Sequence, residues 1–215
     1  VNKTGLLTLA AVAAAFSLLA ILFLNKPLAE FIRAPGYEDP ALFHQGTALL
    51  DLVTGKEACK FLLGSALIGV GLAQVAVARS RPQGVSLLFI GLMQLLSTLA
   101  YGVSKNLFSR LRPYELLDSG ARDQAWWAEG SSFPSGHVGF YIGLFLPLAC
   151  LFPRWRWSLL AAPPFIALAR VGVNDHFLSD VATSTSMVAL NTLVGGTAMR
   201  RLPTIPSLPG SNDVE

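Results

Sequence analysis

Charge is what this 215-residue sequence has least of. Asp, Glu, Lys and Arg together make up 13% of it, about half the ~25% of an ordinary soluble domain. No hydrophilic stretch is long enough to fold alone. Two cysteines, Cys59 and Cys150, do not make a disulfide framework. Three histidines and no clustered carboxylates leave no usual metal-ligand spacing. What fills the chain instead is apolar. Hydrophobic residues are 53% and mean hydropathy is +0.53, in runs that approach the ~20 residues needed to span a bilayer.

These runs predict an all-α protein: a six-transmembrane-helix bundle with short interfacial helices on the outer side, one domain over residues 1–202. The spans are expected at about 6–24, 58–78, 84–104, 134–152, 158–173 and 180–199. The first, with Lys3 ahead of it, has the outline of a signal peptide. Its length and the lack of a clear small-x-small site before Asn25 favour a retained span. Beyond it, Leu28, Phe31 and Ile32 share one helical face, and Leu42, Phe43, Leu49 and Leu50 another. Both read as amphipathic helices lying in the interface plane. Residues 203–215, rich in Pro and Gly, read as a disordered cytoplasmic tail.

Basic residues set the orientation. The N-terminus, the loops after spans two and four, and the C-terminus hold Lys3, Arg79, Arg81, Arg154, Arg156, Arg200 and Arg201, with acids only at Asp213 and Glu215. Short loops rich in Lys and Arg stay cytoplasmic. Both termini are therefore expected inside, in the cytoplasmic (inner) membrane. The polar stretches near Lys105, His137 and His176 then all face the exterior. A net charge of +3, spread over short loops, is no surface for nucleic acid. Cys59 and Cys150 fall near opposite ends of their spans and are too far apart to pair.

Three polar islands stand out of this apolar chain, and ionisable residues at membrane depth point to function. Around His176, the sequence runs Arg170-Val-Gly-Val-Asn-Asp-His-Phe-Leu-Ser-Asp180. His176 and Asp180 are four apart, so on a helix they share a face, and a carboxylate on one imidazole nitrogen leaves the other free to attack. Alone, such a pair also occurs as a plain helix-surface contact worth a few tenths of a kcal/mol. Lys105 and Arg112 are seven apart, almost two helical turns, and would form one cationic stripe suited to a phosphate. Pro113 would help to end that helix. Arg110 would point elsewhere, as a surface charge. In Pro134-Ser135-Gly136-His137, Pro134 would occupy a helix's first turn, and the free amides of Ser135, Gly136 and His137 would face an anion. Trp126 and Trp127 read as a membrane-interface anchor, and His44 as a solvated or capping residue.

In order and spacing these islands match K-x(6)-R-P, P-S-G-H and R-x(5)-H-x(3)-D. The match resembles the type-2 phosphatidic acid phosphatase superfamily over Lys105 to Asp180, and membrane members of that family have six helices. One position departs: the third motif usually begins Ser-Arg, and here it is Ala169-Arg170, which removes a hydroxyl near the phosphate. The resemblance implies that His176 attacks phosphorus, that Asp180 orients it and that His137 protonates the leaving oxygen and then activates water. It also implies that Lys105, Arg112, Ser135, Gly136 and Arg170 hold the phosphoryl oxygens. No metal and no cofactor is implied. The expected substrate is a lipid phosphate or pyrophosphate: undecaprenyl pyrophosphate, phosphatidylglycerophosphate, phosphatidic acid or a lipid A phosphate. The expected partners are membrane lipids, with no obligate protein partner and no nucleic acid. A lipid phosphotransferase would use the same site. A non-enzymatic lipid-binding or transport protein is the reading of another class, and the intact motifs speak against it.

Overall fold

A computed structural model of the chain describes residues 3–37, 40–120 and 125–200. Ten α-helices run through these residues and no strand occurs among them. The tail expected at 203–215 lies outside the described residues.

The first apolar run does not stop before Pro27. Helix α1 (Lys3–Leu19) continues through a π-helical turn, Ala20–Leu24, into α2 (Asn25–Arg33). Pro27 has no amide to donate, and its ring presses on the carbonyl four residues back. The widened turn falls just before it and takes up that misfit. α1 lies along α10 (Leu178–Arg200). There the Ser17 hydroxyl meets Thr183 Oγ1 at 2.7 Å, and Ser186 donates to the Ala10 carbonyl at 2.9 Å.

Helices α4 (Leu62–Val75) and α5 (Arg81–Phe108) form a tight pair. A Cβ added at Gly91 would lie 2.8 Å from the Gly64 carbonyl oxygen, so glycine is what lets these backbones approach. Helix α7 (Gly136–Leu151) runs through the middle of the bundle between α5, α9 (Ala162–Gly172) and α10. Apart from His137 and Tyr141 near its start, its sequence is apolar on every face, as befits a helix buried all round. Val138, Phe140 and Tyr141 have no exposure at all, and they pack with Ile166 and Val188. Helix α3 (Ala41–Thr54) lies across α9.

The outer surface is also apolar. Leu18, Leu22, Leu72, Leu99 and Val103 are all more than half exposed, a belt that needs a non-aqueous neighbour. Two helical stretches, Lys3–Arg33 and Arg81–Asp118, are long and apolar enough to cross a membrane. Leu62–Val75 and Gly136–Leu151 are apolar but shorter. The stretch expected to span at 158–173 is broken. Helix α8 (Arg156–Leu159) ends at Leu160, and α9 has 11 residues, about 16 Å of helix against a ~30 Å hydrocarbon core. Pro163 and Pro164 lie in the first turn of α9, where proline is tolerated. The end of α5 and the starts of α7 and α10 meet at one end of the bundle, where the Ser135 amide donates to the Asp180 carbonyl at 3.2 Å.

Candidate active site

At that end lies a cavity of about 250 Å³, walled by Lys56, Lys60, Tyr101, Lys105, Arg112, Gly136, His137, Arg170 and His176. Residues from all three polar islands therefore share one space. Two further cations, Lys56 and Lys60, come from the connection between α3 and α4.

Local backbone turns build each wall. Helix α5 ends at Phe108 because Ser109 turns left-handed, φ +39°, and its amide closes on the Lys105 carbonyl. Lys105 and Arg112 thus do not share a helical stripe. Arg112 sits in extended backbone as the N-cap of α6 (Pro113–Asp118). The two meet at the cavity because the chain doubles back between them. The same loop is laced to residues 125–132: the Leu111 amide donates to the Ala125 carbonyl at 2.7 Å and the Ser132 amide to the Arg110 carbonyl at 2.8 Å. A Cβ at Gly130 would overlap the Arg110 backbone, so only glycine fits there. On the opposite wall, left-handed Asn174 folds the end of α9 back, and the amides of Asp175 and His176 both donate to the Arg170 carbonyl at 3.1 Å. That turn explains the Arg-x(5)-His spacing.

His176 is 3% exposed and precedes α10 rather than lying within it. Its Nδ1 is 3.6 Å from Asp180 Oδ2, beyond an ordinary hydrogen bond. Ser132 bridges the gap: its hydroxyl lies 3.4 Å from Nδ1 and donates to Asp180 Oδ2 at 2.5 Å. The Phe177 amide donates to the same oxygen at 2.9 Å, as a third-position carboxylate does at a helix start. Arg110 holds the other oxygen at 2.6 Å and Ser179 Oγ at 2.8 Å. Arg110 is therefore no surface charge. It is 4% exposed and sandwiched between the rings of Trp126 and Phe177, 4.3 and 4.0 Å from their centroids. Trp126, read as a membrane anchor, is part of that clamp; Trp127, 72% exposed, is not. Burial is the main cause that lowers the His176 pKa to about 4, against the opposing pull of Asp180. The imidazole is neutral at pH 7, with Nε2 turned away from its carboxylate.

His137 lies in the first turn of α7. Its Nε2 is 3.0 Å from Asp51 Oδ2, a carboxylate 86 residues upstream. Tyr141, one turn further along α7, donates to Asp51 Oδ1 at 2.7 Å, and Lys56 Nζ lies 3.3 Å from the same carboxylate. Burial pushes the Asp51 carboxyl up, but the hydrogen bonds from His137 and Tyr141 and the charges of His137 and Lys56 outweigh it and bring it to about 2.

Arg112 and Arg170 share Asp175. Arg112 Nη1 is 3.1 Å from Asp175 Oδ1, and Arg170 Nη2 donates to Asp175 Oδ2. The Arg170 Nε donor is buried without a partner among the described residues. Lys105 donates to the Ser131 carbonyl. Two expectations for the second island change. Pro134 precedes the helix, because Ser135 is its N-cap. Ser135 is fully buried, its amide is taken by Asp180, and its hydroxyl accepts from the Val138 amide at 3.5 Å. Ser135 therefore braces the site from behind, while Gly136 and His137 form the wall. Ala169 is buried within α9 and away from the cavity. Among the described residues, no three His, Cys, Asp or Glu side chains are grouped to hold a metal.

Ser132 and Arg110 lie inside or beside the islands, and their value was hidden only by the loops that bring them to Asp180. Asp51 carried a single sequence signal: it is the lone acid of an otherwise uncharged amphipathic stretch, on the side of His44, Thr47 and Thr54.

The model of the PAP2 superfamily matches residues 86–200, and the chain belongs to that superfamily. Among curated proteins it is similar to the lipid A 1-phosphatase of Rhizobium johnstonii, 32% identical over 118 residues, covering 52% of this chain and 48% of that one. The lipid A 1-phosphatase of Rhizobium etli is 31% identical over 118 residues, covering 52% and 51%. The match thus spans about half the length of these relatives. No solved structure matches the chain.

Proposed function

We propose that this protein is a lipid phosphatase of the bacterial inner membrane that works through a phosphohistidine. The observation that carries this reading is a neutral, buried His176 on the wall of a cavity ringed by Lys105, Arg112 and Arg170. His176 Nε2 attacks phosphorus as the bond to the lipid oxygen breaks. His137 gives that oxygen a proton, so the lipid leaves as an alcohol or, from a diphosphate, as the monophosphate. Water then attacks the phosphohistidine and returns its proton to His137. Inorganic phosphate departs and His176 is regenerated. Lys105, Arg112 and Arg170 stabilise the charge that builds on the phosphoryl oxygens, with the Gly136 amide at the start of α7 beside them.

The apolar belt supports a membrane-embedded chain, and the basic loops support cytoplasmic termini with the cavity at the periplasmic face. One domain over 1–202, its six apolar segments embedded to different depths, fits both. Names of the relatives favour a lipid A phosphate over the other candidates. A panel of purified lipid phosphates, assayed in detergent with EDTA, tests the assignment. Phosphate release from the wild type and none from His176→Ala is the expected result. Trapping of labelled phosphate on the wild-type chain would identify the intermediate. Release that persists in His176→Ala overturns the mechanism.

A further inference from the structure

The P-S-G-H island gives His137 no carboxylate of its own, yet the folded chain supplies one from α3. Asp51 is 4% exposed, and both its oxygens are taken: Oδ2 by His137 and Oδ1 by the Tyr141 hydroxyl. Lys56, five residues further on, closes the group, with its amide on the Asp51 carbonyl at 3.0 Å and its ammonium beside the carboxylate. Thr54 adds a hydroxyl 3.4 Å from Tyr141 Oη. A buried carboxylate so fully engaged is held in one place. His137 and Tyr141 are four residues apart on α7, so one helical face presents both groups to it. Helix α3 is itself locked onto α9, since a Cβ at Gly172 would overlap the Phe43 ring.

We propose that Asp51 is a positioning residue for His137: it fixes Nε2–H and leaves Nδ1 as the nitrogen that gives and takes the proton. This rests on the phosphatase reading above. Asp51 also lies outside residues 86–200, so the element that aims the acid belongs to the upstream half of the chain. In the first step, protonated His137 loses the Nδ1 proton to the leaving oxygen while Nε2–H stays on Asp51 Oδ2. In the second, the proton of the attacking water goes back to Nδ1. The carboxylate stabilises the charged ring that precedes the first transfer and follows the second, and it is never itself protonated.

The dependence of rate on leaving group tests this. An alkoxide needs a proton as it leaves, whereas p-nitrophenolate does not. Full-length Asp51→Asn and Asp51→Ala, purified in detergent, are assayed on a lipid phosphate and on p-nitrophenyl phosphate. The expected result is a loss in kcat/KM on the lipid of about 10²-fold, the scale of general acid catalysis, with a far smaller loss in kcat/KM on the aryl ester, because kcat/KM reads only the steps up to departure of the leaving group. On a His137→Ala background, Asp51→Asn should add almost nothing. A purely structural carboxylate would lower both substrates together and would keep its full effect without His137. Either outcome, with His176→Ala inactive, overturns the role of Asp51 alone. Activity that survives in His176→Ala overturns the phosphatase mechanism instead.

Discussion

His176 has its carboxylate four residues away, and His137 takes one from 86 residues upstream. The first pair is built by the start of α10 and could form within a short segment. The second exists only once α3 has docked on α9 beside α7. Their surroundings differ as well. Asp180 is fully buried and balanced by a buried arginine, whereas Asp51 sits among a tyrosine, a lysine and the histidine it holds. The His176 pair is thus local in sequence, though Ser132 and Arg110 reach it from distant loops, whereas the His137 pair depends wholly on long-range packing.

The sharpest way to separate the two is Arg110→Ala. It leaves Asp180 buried and without its cation, a change that costs about 3–5 kcal/mol. Thermal unfolding in detergent should drop accordingly, and the remaining folded protein should lose rate on lipid and aryl phosphates alike. A stable, active Arg110→Ala would mean that Ser132 and the Phe177 amide suffice to hold Asp180.

Next in size is a pH effect read at His176. Its folded pKa of about 4 lies below the ordinary 6.5, so as pH falls the unfolded chain binds the proton first. The contribution to stability is complete above about 6.5 and declines between 6.5 and about 4. Stability of wild type minus His176→Asn, measured by unfolding across pH 4–8, should show that slope. NMR of ¹⁵N-labelled histidine should place the His176 titration near 4. A titration near 6.5 would mean that the ring is open to water.

The smallest effect concerns the substrate's anion. Asp175 already takes one nitrogen of each of Arg112 and Arg170, so a phosphoryl group competes with it for those donors. The pair is partly exposed, and such contacts are worth about 0–1 kcal/mol. Asp175→Asn should lower KM by about two- to five-fold, with kcat little changed in steady-state assays. A raised KM would instead make Asp175 a brace for the arginines.

The same contrast shows what could be read before folding. His176, Asp180, Lys105, Arg112, Arg170 and His137 stand out because polar residues at regular spacing are rare in so apolar a chain. Pairings between distant segments leave no such mark, so Asp51 and the Lys56 and Lys60 contributions passed unseen. A straight helix through Ser109 would point Arg110 to the surface, and the left-handed turn there redirects everything after it. Continuation of the first helix past Pro27 was hidden for a similar reason, since a π turn has no simple sequence period.

The doubly held Asp175 has a consequence for the end of each cycle. A carboxylate tethered beside the two guanidinium groups behaves as a resident competitor at millimolar effective concentration or above. Once inorganic phosphate is formed, that competitor is at hand to reclaim both arginines and drive the product out. On the mechanism proposed above, free phosphate and substrate would meet the same opponent on the way in, so the tether would weaken the grip on both to a like degree.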